Sequence, residues 1–237
     1  MNILAIGAHP DDIEIYMFGT LAACAARGDR LDYVIATDGA KGGNGDPVAL
    51  SALRKNEARS AAALLDAKVH FLDFADGELV PDQSLILTLK SIIAEMDPDL
   101  ILTHPAIDYH GDHRALSEAV RIAASFSAPV LYCDALRGVG PMPSYYVDIT
   151  AHRAKKAIAI NAHASQDPER FVVASEQLSA FRASQANGAA ESHAEAFHFE
   201  PIFPFVDIRA LLPPAPPVHP VANRARMRRL QEPSQQS

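Results

Sequence analysis

The chain is poor in cysteine, in positive charge and in long apolar runs, and each shortage removes a class of function. Its two cysteines, Cys24 and Cys133, lie far apart and form no C-x-x-C pair. Cys24 falls in an alanine-rich helical stretch and Cys133 in an apolar strand, so both read as buried thiols, which suits a reducing cytoplasmic compartment. With 21 Lys and Arg against 29 Asp and Glu, the formal net charge is -8. Such a balance offers no electrostatic footprint for nucleic acid or an anionic membrane surface. No uninterrupted apolar run reaches the length of a membrane span, and no basic segment precedes the first apolar residues, so neither membrane insertion nor a signal peptide is expected. Internal repeats and a second core are also missing. What is there is an ordinary globular composition, 49% hydrophobic and 21% charged over 237 residues, enough for one large α/β domain.

Strand-like runs alternate with helical patterns through the first 150 residues. Strands are predicted from Asn2 to Gly7, Leu31 to Thr37, Lys68 to Asp73, Asp99 to Thr103 and Pro129 to Cys133. Helices are predicted from Tyr16 to Arg27, Ala49 to Asp66, Gln83 to Glu95 and Asp112 to Phe126, with Leu50, Leu53, Ala61, Leu64 and Leu65 as core positions of the second. This alternation indicates βαβ units with right-handed crossovers and a mainly parallel sheet. Ser144 to Ile149 adds a further strand, Ala151 to His163 and Asp167 to Ala186 two helices, and the aromatic stretch Glu195 to Phe205 packs back on the domain. The glycine-rich loop between Asp38 and Pro47 lacks the G-K-[ST] ending of a phosphate-binding loop, and ordinary loop duty is expected of most of its glycines. Residues 1–210 thus form one domain. Residues 211–237 form a tail, Pro-rich and then basic, that serves as a linker or lies across a neighbouring subunit of a homo-oligomer.

Two polar clusters break this regular pattern. The first, Gly7-Ala8-His9-Pro10-Asp11-Asp12-Ile13-Glu14, lies in the first strand-to-helix loop. Ligands of open α/β sheets bind at that edge, outside the carboxyl ends of the strands. Imidazole and carboxylate together suit a borderline metal such as zinc. Taken alone, a His-Pro-Asp-Asp turn serves equally well as a helix cap, because Asp is a favoured N-cap residue. The second cluster tips the balance. From His104 to His113, three histidines and two aspartates fall within ten residues of another strand-to-helix loop. His110, Asp112 and His113, taken with His9 and Asp12, can supply two nitrogens and one oxygen from two loops at one sheet edge. Three protein ligands and one open position make a catalytic zinc site. His104 reads as closing its strand by hydrogen bonding, not as a ligand.

Ala8-His9-Pro10-Asp11-Asp12 and His110-Gly111-Asp112-His113 resemble the motifs of the PIG-L/LmbE-like zinc deacetylase family. Weaker signatures follow in the family's order: Thr37-Asp38-Gly39, Arg54 with Glu57, Phe74-Ala75-Asp76-Gly77-Glu78, Val147-Asp148-Ile149-Thr150, Ser165-Gln166 and Ala194-Glu195-Ala196-Phe197. The resemblance implies a Rossmann-like three-layer α/β fold and removal of an acyl group, commonly acetyl, from an amino sugar or related small N-acyl compound. It implies one zinc ion per subunit, with His9, Asp12 and His113 as ligands. By the same resemblance Asp11 is the general base, His110 the acid or oxyanion partner, and Arg54 and Asp76 substrate contacts. A looser correspondence adds Arg137 to those contacts.

Physical chemistry accommodates these roles. Zinc lowers the pKa of its water from ~16 to about 7, and a nearby carboxylate can take the proton and return it to the leaving amine. Zinc and a protonated His110 can both stabilise the oxyanion. Asp112 is placed to orient His110 and keep it charged, to cap the next helix, or to do both. Three residues depart from the family pattern: Tyr16 and Phe18 stand where relatives carry small residues, and His193 where some carry tyrosine. Larger side chains at 16 and 18 narrow the pocket or repack the first helix. The second reading is a metal-dependent ligand-binding or regulatory protein of the same fold without efficient catalysis. Asp11 and His110 argue against it, because a binding site needs neither a free base nor an acid.

Overall fold

A computed structural model of the protein describes residues 1–136, 138 and 140–219. Strand β1 (Asn2–Gly7) is an unbroken apolar run because helices cover both its faces, Ile3 and Ala5 pointing to one layer and Leu4 and Ile6 to the other. Helix α1 (Asp12–Tyr16) follows, the backbone leaves helical geometry at Met17 (φ -141°), and α2 (Phe18–Ala26) continues. The sequence pattern predicts a single helix from Tyr16; the break at Met17 leaves Asp12–Tyr16 as a separate short helix ahead of α2. Next come β2 (Arg30–Thr37), α3 (Pro47–Ala62), β3 (Lys68–Phe74) and α4 (Gln83–Met96). Asp46 and Asp82 cap α3 and α4, accepting the Val48 and Leu85 N–H groups at 3.2 and 3.0 Å, and Pro47 opens the first turn of α3. The chain closes with β4 (Leu100–Thr103), α5 (Gly111–Ala123), β5 (Val130–Cys133), β6 (Tyr145–Asp148), α6 (Arg153–Asn161), α7 (Glu169–Gln185) and β7 (Ala194–Phe199).

The strands form one sheet in the order β3-β2-β1-β4-β5-β7-β6. The first five are parallel, and β7 runs antiparallel to both β5 and β6. Two apolar clusters fill the spaces on either side. One packs α2, α3 and α6 on the sheet through Phe18, Leu21, Ala61 and Ile160; the other packs α4 and α5 through Leu85, Leu89, Leu116 and Val120. The expected three-layer, mainly parallel architecture is the observed one. Leu53 is a correction to the expected core: it is 49% exposed, because α3 turns its small residues Ala58, Ala61 and Ala62 inward instead. Both cysteines are buried.

Successive connections leave β1 toward β2 on one side and β4 toward β5 on the other, so the adjacent carboxyl ends of β1 and β4 open a crevice at a topological switch point. Late in the chain, Glu195 on β7 braces this region. Its oxygens accept the Gly19 and Thr20 N–H groups of α2 at 2.8 and 2.7 Å and the Lys156 ammonium at 2.6 Å. Residues 211–219 are not a free linker: Pro214 O accepts the Asp148 N–H at 2.9 Å, and the His219 N–H donates to Asn187 O at 2.7 Å. The basic end of the tail, with its expected role in an oligomer, lies outside the described residues. No helix among the described residues is long and apolar enough to cross a membrane.

Phe18 is fully buried in the cluster beneath α2. Phe18→Ala is expected to lower unfolding free energy by about 3–5 kcal/mol, whereas Leu53→Ala should stay within about 0.5 kcal/mol. Urea denaturation followed by circular dichroism measures both.

Candidate active site

The two polar loops meet at the crevice. Asp12 heads α1, with its carboxylate folded back so that Oδ2 accepts the His9 N–H at 2.6 Å. The same oxygen lies 3.2 Å from His9 Nδ1 and 3.1 Å from His104 Nε2, while Oδ1 lies 3.3 Å from His113 Nε2. His9 Nδ1 and His113 Nε2 are 3.3 Å apart. Two imidazole nitrogens and one carboxylate thus converge from three side chains, each pair separated by 3.2–3.3 Å. A tetrahedral zinc ion at about 2.0–2.1 Å from its ligands spaces them by about 3.3 Å, so this donor set fits the ion. Other groupings with metal-binding side chains join His110 to His9 and His113, His104 to Asp12 and His113, and Asp76 with Asp112 to His9.

Each of the two converging imidazoles turns its other nitrogen to a buried carboxylate. His9 Nε2 lies 3.1 Å from Asp112 Oδ2 and 3.2 Å from Asp76 Oδ1, and His113 Nδ1 lies 3.1 Å from Asp108 Oδ2. Such partners fix ring orientation and tautomer and raise the basicity of the metal-facing nitrogen. The charges follow. Burial opposes ionisation of Asp12, yet His113, His104 and His9 hold its carboxyl well below the usual range. Burial works against a charged His113, but Asp12 and Asp108 push it up to about 9, and His9 is raised well above its ordinary value by Asp12, Asp112 and Asp76. A divalent cation would satisfy the same carboxylates while both imidazoles stay neutral. His104, pressed flat on His113 with ring centroids 3.9 Å apart, is lowered to about 4 by burial and by its neighbour's charge.

Asp11, adjacent in sequence, has a different environment. It lines a pocket of about 310 Å³ together with His9, Asp12, Asp76, His110 and His113. Burial raises its pKa to about 6 against the pull of the Arg54 guanidinium, whose Nη2 lies 3.2 Å from Asp11 Oδ1. Arg54 also donates to Gly39 O at 2.9 Å and to Pro10 O at 3.4 Å. Arg54 reaches the same pocket from α3, with its guanidinium shared between Asp11 and the two loop carbonyls. Two glycines make room: a Cβ at Gly42 would sit 2.2 Å from Arg54 Nη1, and Gly39 takes a positive φ of 65° against Pro10. Gly43 meets no such constraint, while Gly45 has open space around it but takes a positive φ of 128°.

His110 caps α5, its Nδ1 accepting the Asp112 N–H at 3.2 Å. That bond leaves the proton of the neutral ring on Nε2, and burial with His9 and His113 nearby lowers its pKa. The expected help from Asp112 takes another form. With His110 at the cap position, the Asp112 carboxylate turns away to the Gly77 and Leu79 N–H groups, at 2.7 and 3.2 Å, and to His9. Asp112 therefore orients His9, and it holds His110 through its backbone N–H alone. Asp76 faces the pocket but is shared between His9 and the Lys41 N–H. Arg137 lies outside the described residues. His193 bonds Ser179 Oγ at 2.9 Å and does not line this pocket, whereas Tyr16 does. Asp108 had no expected role; a carboxylate five residues before His113 in the same loop is the signal that points to it.

A parallel-sheet crevice with a buried His-Asp-His donor set that could hold a metal, and a separate carboxylate beside it, sets the class of site to compare with known proteins. A sequence model of the family described as PIG-L, GlcNAc-PI de-N-acetylase, matches residues 4–124. The chain is 31% identical over 190 residues to the diacetylchitobiose deacetylase of Thermococcus kodakarensis, covering 71% of each. It is 25% identical over 191 residues to the 4-oxalmesaconate hydratase of Pseudomonas putida, covering 70% of this chain and 74% of that one. The N,N'-diacetylchitobiose deacetylase of Pyrococcus horikoshii, solved with its inhibitor MPG, superposes with a TM-score of 0.76 at 23% identity, over 89% of this chain and 88% of that one. The protein belongs to the PIG-L family of LmbE-like deacetylases.

Asp108→Asn leaves all three donors in place but weakens the carboxylate behind His113. It is expected to lower zinc affinity about 10–100-fold in chelator competition, while His113→Ala loses the metal on dialysis.

Proposed function

We propose that the protein is a zinc-dependent amide hydrolase that removes an acetyl group from an N-acyl amino sugar or a related small N-acyl compound. The observation that carries this reading is the pairing of a three-donor cluster, His9, Asp12 and His113, with a neighbouring carboxylate that is not part of it. The deacetylase relative, alike over most of both chains, supports the acetylated substrate class.

When bound, zinc at these donors supplies Lewis acidity toward a carbonyl oxygen and toward water. Asp11, raised to about 6, is ionised near neutrality and basic enough to take a proton from the attacking water. Arg54 holds that carboxylate toward the pocket. As the water oxygen bonds to the carbonyl carbon, charge gathers on the carbonyl oxygen, and the neutral Nε2–H of His110 donates a hydrogen bond to it. This replaces the protonated His110 of the sequence expectation, since the ring spends Nδ1 on the helix cap. The proton on Asp11 then passes to the leaving nitrogen, the C–N bond breaks, and a carboxylate and a free amine depart.

A second reading comes from the hydratase relative: the same base and donor also serve addition of water across an activated C=C bond. The products separate the two, since only amide cleavage releases acetate.

Acetate release from a panel of N-acetylated sugars and amines should be measurable with zinc-loaded protein and abolished by chelator. Asp11→Asn should keep its metal and lose about 10²–10⁴-fold in kcat. No acetate from any amide would overturn the hydrolase reading, and full activity of Asp11→Asn would overturn the assigned base.

A further inference from the structure

The pocket walls are chemically divided. Toward Asp76, Lys41, Arg54 and Gln166 the lining is polar, whereas Ile15, Tyr16 and Phe171 form an apolar side. Tyr16 is buried, and its ring meets His113 edge-on at 5.8 Å and His104 at 5.4 Å, so it stands directly beside the donor cluster. Ile15 and Tyr16 also line a second, much smaller cavity of about 20 Å³ between α1, α7 and β7, bounded by Leu136, Leu178, Ala194 and Ala196. Ser175 and Ser179 also line that cavity, and its charged groups are already paired: Lys156 with Glu195 at 2.6 Å, and Arg182 Nη2 with Asp134 Oδ1 at 2.9 Å. Ile15 and Tyr16 thus line both the reacting pocket and the space behind it, and of the two Tyr16 is the one whose ring meets the donor histidines.

An acyl chain on a carbonyl held at the donor cluster must point away from the leaving amine. The polar wall suits an amine portion rich in hydroxyl groups, which its side chains can hydrogen-bond. The apolar wall is then the direction left for the acyl chain, and there it meets the Tyr16 ring within the length of a few carbons.

We propose that Tyr16 sets the length of acyl group the site accepts, restricting it to acetyl and its nearest homologues by closing off the cavity between α1, α7 and β7. The proposal rests on the amide-hydrolase reading for turnover but not for binding, since a carboxylate product occupies the same acyl position. Shortening the ring joins the two spaces, and each extra methylene accommodated is worth about tenfold or more in discrimination.

The test compares acetyl, butanoyl and hexanoyl amides of one amino sugar, and in parallel the binding of acetate, butanoate and hexanoate to zinc-loaded protein by calorimetry. Wild type and Tyr16→Phe should favour the two-carbon member in both series. Tyr16→Ala should shift the six-carbon to two-carbon ratio at least tenfold toward the longer chain. Tyr16→Leu, which keeps more of the buried volume, should shift it in the same direction and covers the case in which the alanine variant does not fold. An unchanged ranking in a folded, metal-loaded Tyr16→Ala or Tyr16→Leu protein overturns the proposal. A shift in carboxylate binding with no turnover of any amide supports the gate and removes the hydrolase reading.

Discussion

Everything at the crevice depends on one buried anion. Asp12 has its carboxylate in contact with three imidazoles and with the backbone of its own turn, buried at the floor of the pocket. An ionised carboxylate in that position is tolerable only if positive charge lies beside it. The fold supplies the means by setting β1 next to β4, which brings His9 and His113 within 3.3 Å of each other although they are 104 residues apart. The buried carboxylates of Asp108 and Asp112, on the far side of those imidazoles, complete the pattern, so that charge alternates away from the centre.

The same turn produces two carboxylates of opposite character. Asp12 is drawn to the imidazoles and held ionised, while Asp11, one residue earlier, is buried against a single guanidinium and raised to about 6. Separation of neighbouring acids by environment is how one site obtains two carboxyl groups of different acidity. The glycine loop takes part indirectly. Gly39 and Gly42 let Arg54 approach close enough to keep Asp11 from either folding onto the donors or turning to solvent.

How much of this the sequence conveys depends on the range of the interaction. Period reveals the helices and strands to within a few residues, because apolar alternation acts locally, whereas the caps Asp46 and Asp82 emerge only from the structure. The break at Met17 escapes, since no proline or glycine precedes it and tertiary packing of Phe18 and Tyr16 imposes it. Leu53 misleads because α3 meets the sheet with alanines. The donor cluster is legible as a set of residue types in two loops, but partner choice inside it is not. That Asp112 serves His9 rather than His110, and that Asp108 serves His113, follows from which side of α5 each loop backbone faces. Spacing along the chain carries no record of that.

Glu195 has a consequence in time. It seats the start of α2 from a position 176 residues further along the chain. A nascent chain that has emerged as far as α5 already carries His9, Asp12 and His113, yet the carboxylate that fastens α2 behind them is still unsynthesised. Long-range closures of this kind come late in folding, because loop entropy must be overcome before the contact returns anything. The two polar loops are therefore synthesised before the contact that braces α2 beside them can form.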